Sequence, residues 1–289
     1  MVRKLVFLDI DGTLMDSGGF VPPSALTACR EARRQGHLLY ICSGRPRPQI
    51  SDGVLAIGFD GVVSSGGAHI ETGNTTGEIP YRGNIIFDAA FPVETVKQLA
   101  AYFHSRQCGF SIENNNRVLS NRRYISYWEF ILNYLAAEKK DSKLVSNIMD
   151  LINNSLPEDP ESYDASVYKG VNKIIFAGGS FDEVEQTFGG VCEIFRGSIP
   201  HCGSDCGEIC PPGVHKGSAL EITAGYHGIP LAQTIAFGDS DNDRRMIERA
   251  GTGVAMGNAV DALKVIADDI TSSMEDDGLF NGFKKHGLI

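Results

Sequence analysis

Short apolar segments alternate with helical patterns at both ends of this 289-residue chain. The segments that read as strands are 3–8, 37–42, 61–64, 233–237 and 252–255. Such alternation is typical of an open parallel sheet with helices on both of its faces. The first predicted helix opens at Pro22-Pro23 and stops before Gly36, as proline and glycine commonly mark helix ends. The sequence therefore predicts an α/β fold with a parallel-sheet core.

The middle of the chain, from about Gly83 to Ser204, has a different pattern and carries most of the aromatic residues. Helices are predicted over 92–106, 124–139 and 141–153, and strands over 109–113, 117–120 and 172–177. We interpret residues 83–204 as an inserted α+β domain with its own sheet. The flanking segments, 1–82 and 205–289, are together long enough for a discontinuous α/β core.

Composition narrows the possible partners. The net charge of −10 and the lack of a dense Lys/Arg run argue against nucleic-acid binding. A small phosphorylated substrate is compatible with this net charge, because a bound cation can invert the local field of an acidic protein. The first apolar run is too short for a signal peptide or a membrane span. We therefore expect a cytoplasmic protein with no membrane partner, and the oligomeric state stays open.

The seven cysteines indicate reduced thiols rather than a disulfide framework, because their number is odd. Three of them, Cys202, Cys206 and Cys210, form a cluster flanked by two histidines. Zinc sites usually pair their ligands more closely than this spacing does. An even spacing also places side chains on one face of a strand, and we favour that interpretation.

Two carboxylates, Asp9 and Asp11, follow the first strand, and Gly12-Thr13 come next. In open α/β sheets the carboxyl edge is where ligands bind. Alternate residues of a strand point the same way, and two like charges so close repel unless something positive is shared between them. The arrangement indicates a cation, a proton-transfer role or both. The alternative is a plain Asp-Gly turn.

Two later segments are expected at the same edge. Ser43-Gly44-Arg45 ends the second strand and offers a hydroxyl and a backbone N–H that suit a phosphoryl oxygen. The alternative is an ordinary strand-to-helix turn. Lys216 opens a helix, where a lysine is unfavourable unless an anion is present. Arg45 and Arg47 could reach an anionic substrate or simply pair with core carboxylates.

The segment 238–243, Gly-Asp-Ser-Asp-Asn-Asp, follows an apolar strand and holds three carboxylates. Such crowding suits a hard divalent cation with oxygen ligands, above all Mg²⁺. A solvated loop is the alternative.

Taken in order, the segments DxDGT, Ser-Gly-Arg, Lys-Gly and GDxxND resemble the four motifs of the haloacid dehalogenase (HAD) superfamily. The resemblance implies a Rossmann-like parallel-sheet core with a separate cap domain, and a Mg²⁺-dependent phosphohydrolase. The insertion after the third strand, with a Gly213 to Gly217 return to the core, is similar to the Cof-type subgroup, which has a type IIB cap.

The resemblance also implies roles for individual residues. Asp9 is the nucleophile that forms an aspartyl-phosphate, and Asp11 is the general acid and then the general base. The remaining roles are phosphate binding by Ser43, Gly44 and Lys216, Mg²⁺ binding by Asp9, the Asp11 backbone carbonyl and Asp239, support of the metal site by Asp243, and orientation of the loop by Asn242.

One segment departs from the subgroup. Where Cof-type chains usually carry Asn-Gly-Ala, this chain has Gly66-Gly67-Ala68, so an amide that could contact substrate or brace the loop is missing. The departure bears on the choice of substrate rather than on the chemistry. Expected cap contacts are Glu113, Asn114, Asn115, Asn116, Arg117, Tyr168 and Lys169, although an asparagine run is equally typical of a tight turn.

The substrate stays open among sugar phosphates, pyridoxal phosphate, flavin mononucleotide and nucleotides. The nearest alternative function is a phosphosugar mutase of the same fold. A phosphometabolite-binding protein without catalysis is a more distant one, because both Asp9 and Asp11 are present. A dehalogenase is disfavoured, since Asp11 and the acidic loop fit phosphate and Mg²⁺ chemistry better.

Overall fold

The computed structural model describes residues 2–16, 18–76, 81–137, 145, 156–157, 165–196 and 205–289. The chain divides into two compact units. The larger unit comprises Met1–Arg45, Ile50–Asp88 and Val214–Ile289, and the smaller comprises Pro46–Gln49 and Ala89–Gly213. None of the helices among the described residues combines the length and the apolar character needed to cross a membrane.

The strands of the described residues, in chain order, are β1 Leu5–Leu8, β2 Leu38–Cys42, β3 Gly61–Ser64, β4 His69–Thr72, β5 Asn84–Asp88, β6 Gly109–Asn114, β7 Val118–Ser120, β8 Leu156–Pro157, β9 Val171–Ala177, β10 Glu193–Arg196, β11 Cys206–Cys210, β12 Thr234–Gly238, β13 Thr252–Ala255 and β14 Asp269–Ile270. The α-helices are α1 Pro23–Arg34, α2 Asp52–Leu55, α3 Val93–Ser105, α4 Arg122–Ala137, α5 Phe181–Phe188, α6 Lys216–His227, α7 Arg244–Arg249, α8 Asp261–Ile266 and α9 Gly278–Lys285.

The larger unit is built on an eight-stranded sheet in the order β14-β13-β12-β1-β2-β3-β4-β5. The strands from β14 to β3 are parallel, and β4 and β5 add an antiparallel edge. All four residues of β1 are buried, as expected of an apolar strand at the centre of a parallel sheet. The predicted α/β class is confirmed, and the carboxyl ends of β1, β2 and β12 lie side by side at one edge.

Helix α1 shows why the predicted boundaries hold in this part of the chain. Pro23 occupies the first helical position, where its missing N–H costs nothing. The buried face is made of small residues, including Ala28 and Cys29, which lets the helix lie close to the sheet. Gly36 follows with φ +91°, a left-handed conformation that ends the helix.

The smaller unit contains a six-stranded, mainly antiparallel sheet in the order β10-β11-β9-β6-β7-β8. Along β9, Ile174 and Phe176 pack into the core that includes α3 and α5. The alternate residues Ile175 and Ala177 pack instead with α4. This period of two places helices on both faces of the sheet. Of the predicted helix over 141–153, residue 145 alone is among the described residues.

The boundaries of the inserted segment differ from the expected 82/83 and 204/205. Strand β5, Asn84–Asp88, pairs with β4 and so belongs to the larger sheet. Strand β11, Cys206–Cys210, pairs with β9 and β10 and so belongs to the smaller sheet. Both ends of the insertion therefore lie a few residues later, at Ala89 and Gly213.

The cysteine cluster falls partly on β11. Cys206 and Cys210 are buried thiols on one face of this strand. Cys202 and the neighbouring His201 lie outside the described residues.

Candidate active site

Residues from separate parts of the chain meet at the carboxyl edge of the larger sheet. Asp9 directly follows β1, Ser43 directly follows β2, and Asp239 directly follows β12. Lys216 is the first residue of α6. Because β2, β1 and β12 are adjacent and parallel, their last residues lie at one edge, where open α/β sheets bind ligands.

Lys216 is the centre of the site. Its ammonium donates to Asp9 Oδ1 at 2.6 Å, to Asp243 Oδ1 at 2.6 Å and to Asn242 Oδ1 at 3.0 Å. The side chain is 1% exposed. The lysine at this helix start therefore has carboxylates beside it, and these come from both ends of the sequence.

The Lys-Gly pair has a local structural reason. His215 caps α6: its Nδ1 accepts from the Ser218 N–H at 2.9 Å, and the His215 N–H donates to Ser218 Oγ at 3.1 Å. A Cβ at position 217 would lie 2.4 Å from the Arg245 carbonyl oxygen. Only glycine allows this approach, which brings Lys216 against the loop after β12.

Burial and charge act on the two central groups in opposite ways. Burial raises the pKa of Asp9, the carboxylates of Asp243 and Asp239 raise it further, and Lys216 only partly offsets them. Burial alone would lower the pKa of Lys216, but Asp243 and Asp9 more than compensate and raise it. Lys216 is therefore a permanent cation in a site with excess negative charge.

The GDxxND loop is held by Asp243. Its Oδ2 accepts the backbone N–H of Asp239 at 3.0 Å and of Ser240 at 3.1 Å. Asn242 Oδ1 accepts from both Lys216 and the Ser240 hydroxyl. Gly238 is required here, because a Cβ would lie 2.6 Å from Asp243 Cβ. These contacts suit the supporting role expected of Asp243 and the orienting role expected of Asn242.

Three carboxylates offer a place for a metal ion. Asp9, Asp239 and Asp243 each present an oxygen within 4.8 Å of the others, the single such grouping of metal-ligand side chains in the described part of the chain. Burial, followed by the charge of Asp243, raises the pKa of Asp239 to about 7. One lysine balances three carboxylates incompletely, so a divalent cation with oxygen ligands fits the donor set and its charge. Both Asp243 oxygens already accept hydrogen bonds, which leaves Asp9 and Asp239 as the more available ligands.

Gly12 and Thr13 place Asp239. The Thr13 hydroxyl donates to Asp239 Oδ1 at 3.0 Å. Gly12 has φ +85°, and a Cβ there would lie 2.4 Å from Asp239 Oδ2. Position 12 of the DxDGT motif thus requires glycine for two reasons: the backbone is left-handed, and the Asp239 carboxylate occupies the space of a Cβ.

Ser43 is buried and tied to the turn after β3. Its hydroxyl accepts the Arg45 N–H at 3.1 Å, and its carbonyl accepts the Gly66 N–H at 3.0 Å. Gly66 has φ +67°, a left-handed conformation that glycine adopts freely and asparagine tolerates. The residue that replaces the usual asparagine therefore keeps a backbone conformation open to both. Gly44 lies between the two residues of this turn, Ser43 and Arg45.

The two candidate arginines have different positions. Arg45 forms a two-bond ion pair with Asp11, from Nε to Oδ2 at 2.8 Å and from Nη2 to Oδ1 at 2.6 Å. Of the two expectations for Arg45, the structure shows the pairing with a core carboxylate. Arg47 begins a short 3-10 segment in the smaller unit, so its expected substrate contact stays a prediction.

The residues expected to contact substrate from the cap lie in three different places. Asn114 Oδ1 accepts the N–H groups of Asn116 and Arg117, which makes the asparagine run the turn of the β6–β7 hairpin. Tyr168 ends a 3-10 segment and Lys169 follows it. Glu113 instead is buried beside Lys173, Nζ to Oε2 at 3.2 Å.

Sequence reasoning missed the partners of Glu113. Lys173 also contacts Glu208 Oε2 at 3.3 Å, and the lysine is 2% exposed. The sequence signal that could have identified Lys173 as buried is the period of two along β9, which puts this lysine on the same face as Ile175 and Ala177.

The family of haloacid dehalogenase-like hydrolases matches this chain over residues 6–283. The 5-amino-6-(5-phospho-D-ribitylamino)uracil phosphatase YitU of Bacillus subtilis is 27% identical to it, with 98% of this chain and 97% of the relative covered. The solved structure of BT1666, a HAD phosphatase of Bacteroides thetaiotaomicron, has a TM-score of 0.77 at 23% identity and covers 99% of this chain and 96% of its own. The HAD subclass IIB sugar phosphatase BT4131 has a TM-score of 0.76 at 24% identity and covers 99% of this chain and 100% of its own.

A Rossmann-like sheet with this motif set defines an enzyme of the HAD class. The chain belongs to the haloacid dehalogenase-like hydrolases. The expected family and enzyme class are confirmed by this match and by the phosphatases among its relatives, and the two solved structures show the shared fold.

Proposed function

We propose that the protein is a Mg²⁺-dependent phosphohydrolase that removes phosphate from a small phosphorylated metabolite through an aspartyl-phosphate. The observation that carries the proposal is the Lys216 ammonium, which lies 2.6 Å from Asp9 Oδ1 at the carboxyl edge of the sheet. A buried carboxylate needs a fixed cation beside it if an anionic phosphoryl group is to approach.

The chemistry takes two steps. In the first, an Asp9 oxygen forms a bond to phosphorus, the bond to the leaving oxygen breaks, and Asp11 gives that oxygen a proton. In the second, Asp11 takes a proton from water, the water oxygen attacks phosphorus, and the Asp9–phosphorus bond breaks to release inorganic phosphate. Ser43, Gly44 and Lys216 bind the phosphoryl oxygens during both steps.

Asp9, Asp239 and the Asp11 backbone carbonyl would hold Mg²⁺, with Asp243 in support. The ion would neutralise charge between the nucleophile and the phosphate and align them for in-line attack. The excess of carboxylates over lysine in this buried site supports the assignment.

The names of two relatives support a substrate class. YitU is named for a ribityl phosphate ester, and a relative in Yersinia pseudotuberculosis, 26% identical over 90% of this chain, is named HMP-PP phosphatase. We propose a sugar phosphate or cofactor phosphate, with the inserted segment, residues 89–213, as the cap that selects the leaving group. We propose a reducing, cytoplasmic location, which the odd number of cysteines supports.

The test is phosphate release from a panel of sugar, pyridoxal, flavin and nucleotide monophosphates, with Mg²⁺ or with EDTA. Asp9→Asn protein, purified in parallel, controls for contaminating phosphatase. Mg²⁺-dependent release that the variant lacks supports the proposal. Transfer of phosphate between two positions of a sugar phosphate, without release, would favour the phosphosugar mutase instead. Tight binding of a phosphorylated metabolite with neither reaction would favour a binding protein.

A further inference from the structure

Arg45 engages both oxygens of the Asp11 carboxylate. The two N–H donors reach Oδ2 at 2.8 Å and Oδ1 at 2.6 Å, the fork geometry that orients a carboxylate as well as neutralising it. The side chains are 31% and 41% exposed, so the pair is open to solvent while Asp9 and Lys216 are buried. The fork uses one lone pair of each oxygen, so Asp11 keeps a second lone pair on each oxygen through which it can exchange a proton.

The backbone of Arg45 is fixed independently of its side chain. Its N–H donates to Ser43 Oγ at 3.1 Å, and its carbonyl accepts the Ser65 N–H at 2.8 Å. Ser65 has φ +51°, a left-handed conformation that is unfavourable for a serine. The anchor of Asp11 and the phosphate-binding hydroxyl of Ser43 are therefore on one braced turn.

We propose that Arg45 is a positioning residue that acts through Asp11 and is not a direct ligand of the substrate. It fixes the rotamer of the acid/base carboxylate, so that a lone pair outside the fork is aimed at the leaving oxygen or at water when Asp11 exchanges a proton. This inference rests on the proposed function, because it assigns Arg45 a role only through the acid/base step.

The two chemical steps respond differently to a misplaced Asp11. A p-nitrophenolate leaving group is stable without a proton, so formation of the aspartyl-phosphate from p-nitrophenyl phosphate needs little help from Asp11. Attack by water needs the base with any substrate. Loss of Arg45 should therefore leave a rapid burst of p-nitrophenolate and slow the turnover that follows it.

The experiment compares Arg45→Ala, Arg45→Lys, Asp11→Asn and the double variant Asp11→Asn/Arg45→Ala in the full-length protein with Mg²⁺. With p-nitrophenyl phosphate we expect Arg45→Ala to lower kcat about 10²-fold, the scale of general acid–base catalysis, and to lower KM with it, because slow hydrolysis of the aspartyl-phosphate reduces both constants. Arg45→Lys should recover part of kcat, because a single donor remains. In the Asp11→Asn background, Arg45→Ala should have no further effect, since the two residues act as one unit.

Arg33 offers a matched control. It forms the same kind of fork with Asp60, Nε to Oδ2 at 3.2 Å and Nη2 to Oδ1 at 3.0 Å, with the two side chains 25% and 22% exposed. Asp60 directly precedes β3, so this pair lies at the end of the strand opposite to the site. Arg33→Ala should leave kcat and the burst unchanged. This result would show that the loss of an exposed ion pair does not by itself slow the reaction, whereas the loss of the Arg45–Asp11 pair does.

Five results decide the inference. Losses that multiply in the double variant, or a rise in KM without a fall in kcat, would make Arg45 a substrate ligand and overturn it. Wild-type kcat in folded Arg45→Ala would overturn it as well. A wild-type protein that releases no phosphate from any substrate with Mg²⁺ would overturn the proposed function and this inference together. An active wild type, together with an Asp11→Asn variant in which Arg45→Ala has no further effect, supports both.

Discussion

Lys216 and Asp9 are separated by 207 positions in the chain, yet Lys216 Nζ lies 2.6 Å from Asp9 Oδ1 with both side chains buried. The contact joins the first strand of the larger unit to the first helix after the insertion. It also brings a cation to a carboxylate whose pKa is raised by burial and by neighbouring acids. Lys216, from the other end of the core, favours the ionised form of Asp9, which is the form that the proposed nucleophilic role requires.

Asp9→Asn should lower phosphate release at least about 10³-fold, because the amide cannot form the acyl-phosphate. The metal-free variant should be as stable as the wild type or more so, since it loses one carboxylate from a site with excess negative charge. Malachite-green assays and thermal unfolding check the two parts. Activity at the wild-type level in a pure preparation would refute the nucleophile assignment.

Lys216→Met should cost several kcal/mol of unfolding free energy, on the order of 3–5 kcal/mol, because it leaves buried carboxylates without a cation. Denaturant unfolding without metal measures the loss. Lys97→Met is the control: this lysine makes an exposed pair with Glu94 on α3, and its replacement should change stability by less than about 0.5 kcal/mol. Equal effects of the two variants would contradict the assigned charge balance.

Mg²⁺ should stabilise the protein against unfolding by about 2.7 kcal/mol at a concentration 100 times its Kd. EDTA should remove this gain, and Asp239→Asn should weaken it strongly because it deletes a candidate ligand. Asp269→Asn, on a strand at the edge of the same sheet, should keep the full gain. Thermal melts over a Mg²⁺ titration give the answer, and an unchanged response in Asp239→Asn would rule out this site.

Gly12→Ala should lower activity sharply, because its methyl group would displace Asp239 as well as strain the left-handed backbone. Gly36→Ala carries the strain alone: its φ is +91°, and a Cβ would meet nothing within 4 Å. The two variants should lose comparable stability, roughly 1–2 kcal/mol from the backbone, but only Gly12→Ala should lose most of its kcat. Similar kcat values would show that Asp239 tolerates the shift.

The ion cluster of the smaller unit should make stability depend on pH. Burial raises the pKa of Glu113 to about 7, although Lys173 opposes the shift. Because the folded-state pKa is raised, the folded protein holds a proton that the unfolded chain loses near pH 4.5. The contribution of this proton to the free energy of unfolding is therefore fully present below pH 4.5 and is lost as the pH rises through about 7. The slope is on the order of 1 kcal/mol per pH unit inside that window.

Unfolding measured from pH 5 to 8 tests this dependence. Glu113→Gln should flatten the fall in stability, whereas Glu94→Gln, an exposed change on α3, should preserve it. A wild-type curve that rises from pH 5 to 7 would show that Glu113 is ionised throughout.

The parts of the fold that were predictable are those in which local signals and burial agree. Helix α1 has proline at its start and glycine at its end, and β3 and β13 are apolar runs with the expected bounds. Strand β4 was not predicted, because His-Ile-Glu-Thr mixes polar and apolar residues and is buried by pairing on both sides. Its neighbour β5 was assigned to the insertion for the same reason: only pairing with β4 identifies it.

The site shows the same division. The positions of Asp9, Lys216 and Asp239 follow from strand ends and a helix start, so one-dimensional patterns sufficed to group them. The fork between Arg45 and Asp11 depends on two side-chain rotamers, and the cluster around Lys173 depends on the register of three antiparallel strands. Neither rotamer nor register is encoded by local composition.

The central place of β1 has a consequence for the growing chain. Its partner β12 begins at Thr234, long after β2 and β3 have been made and after the whole insertion. Until then one edge of Leu5–Leu8 has no strand beside it, and an unpaired apolar edge is a template for association between chains. During synthesis this protein should therefore depend on a chaperone, or on rapid completion of its last third, to avoid aggregation.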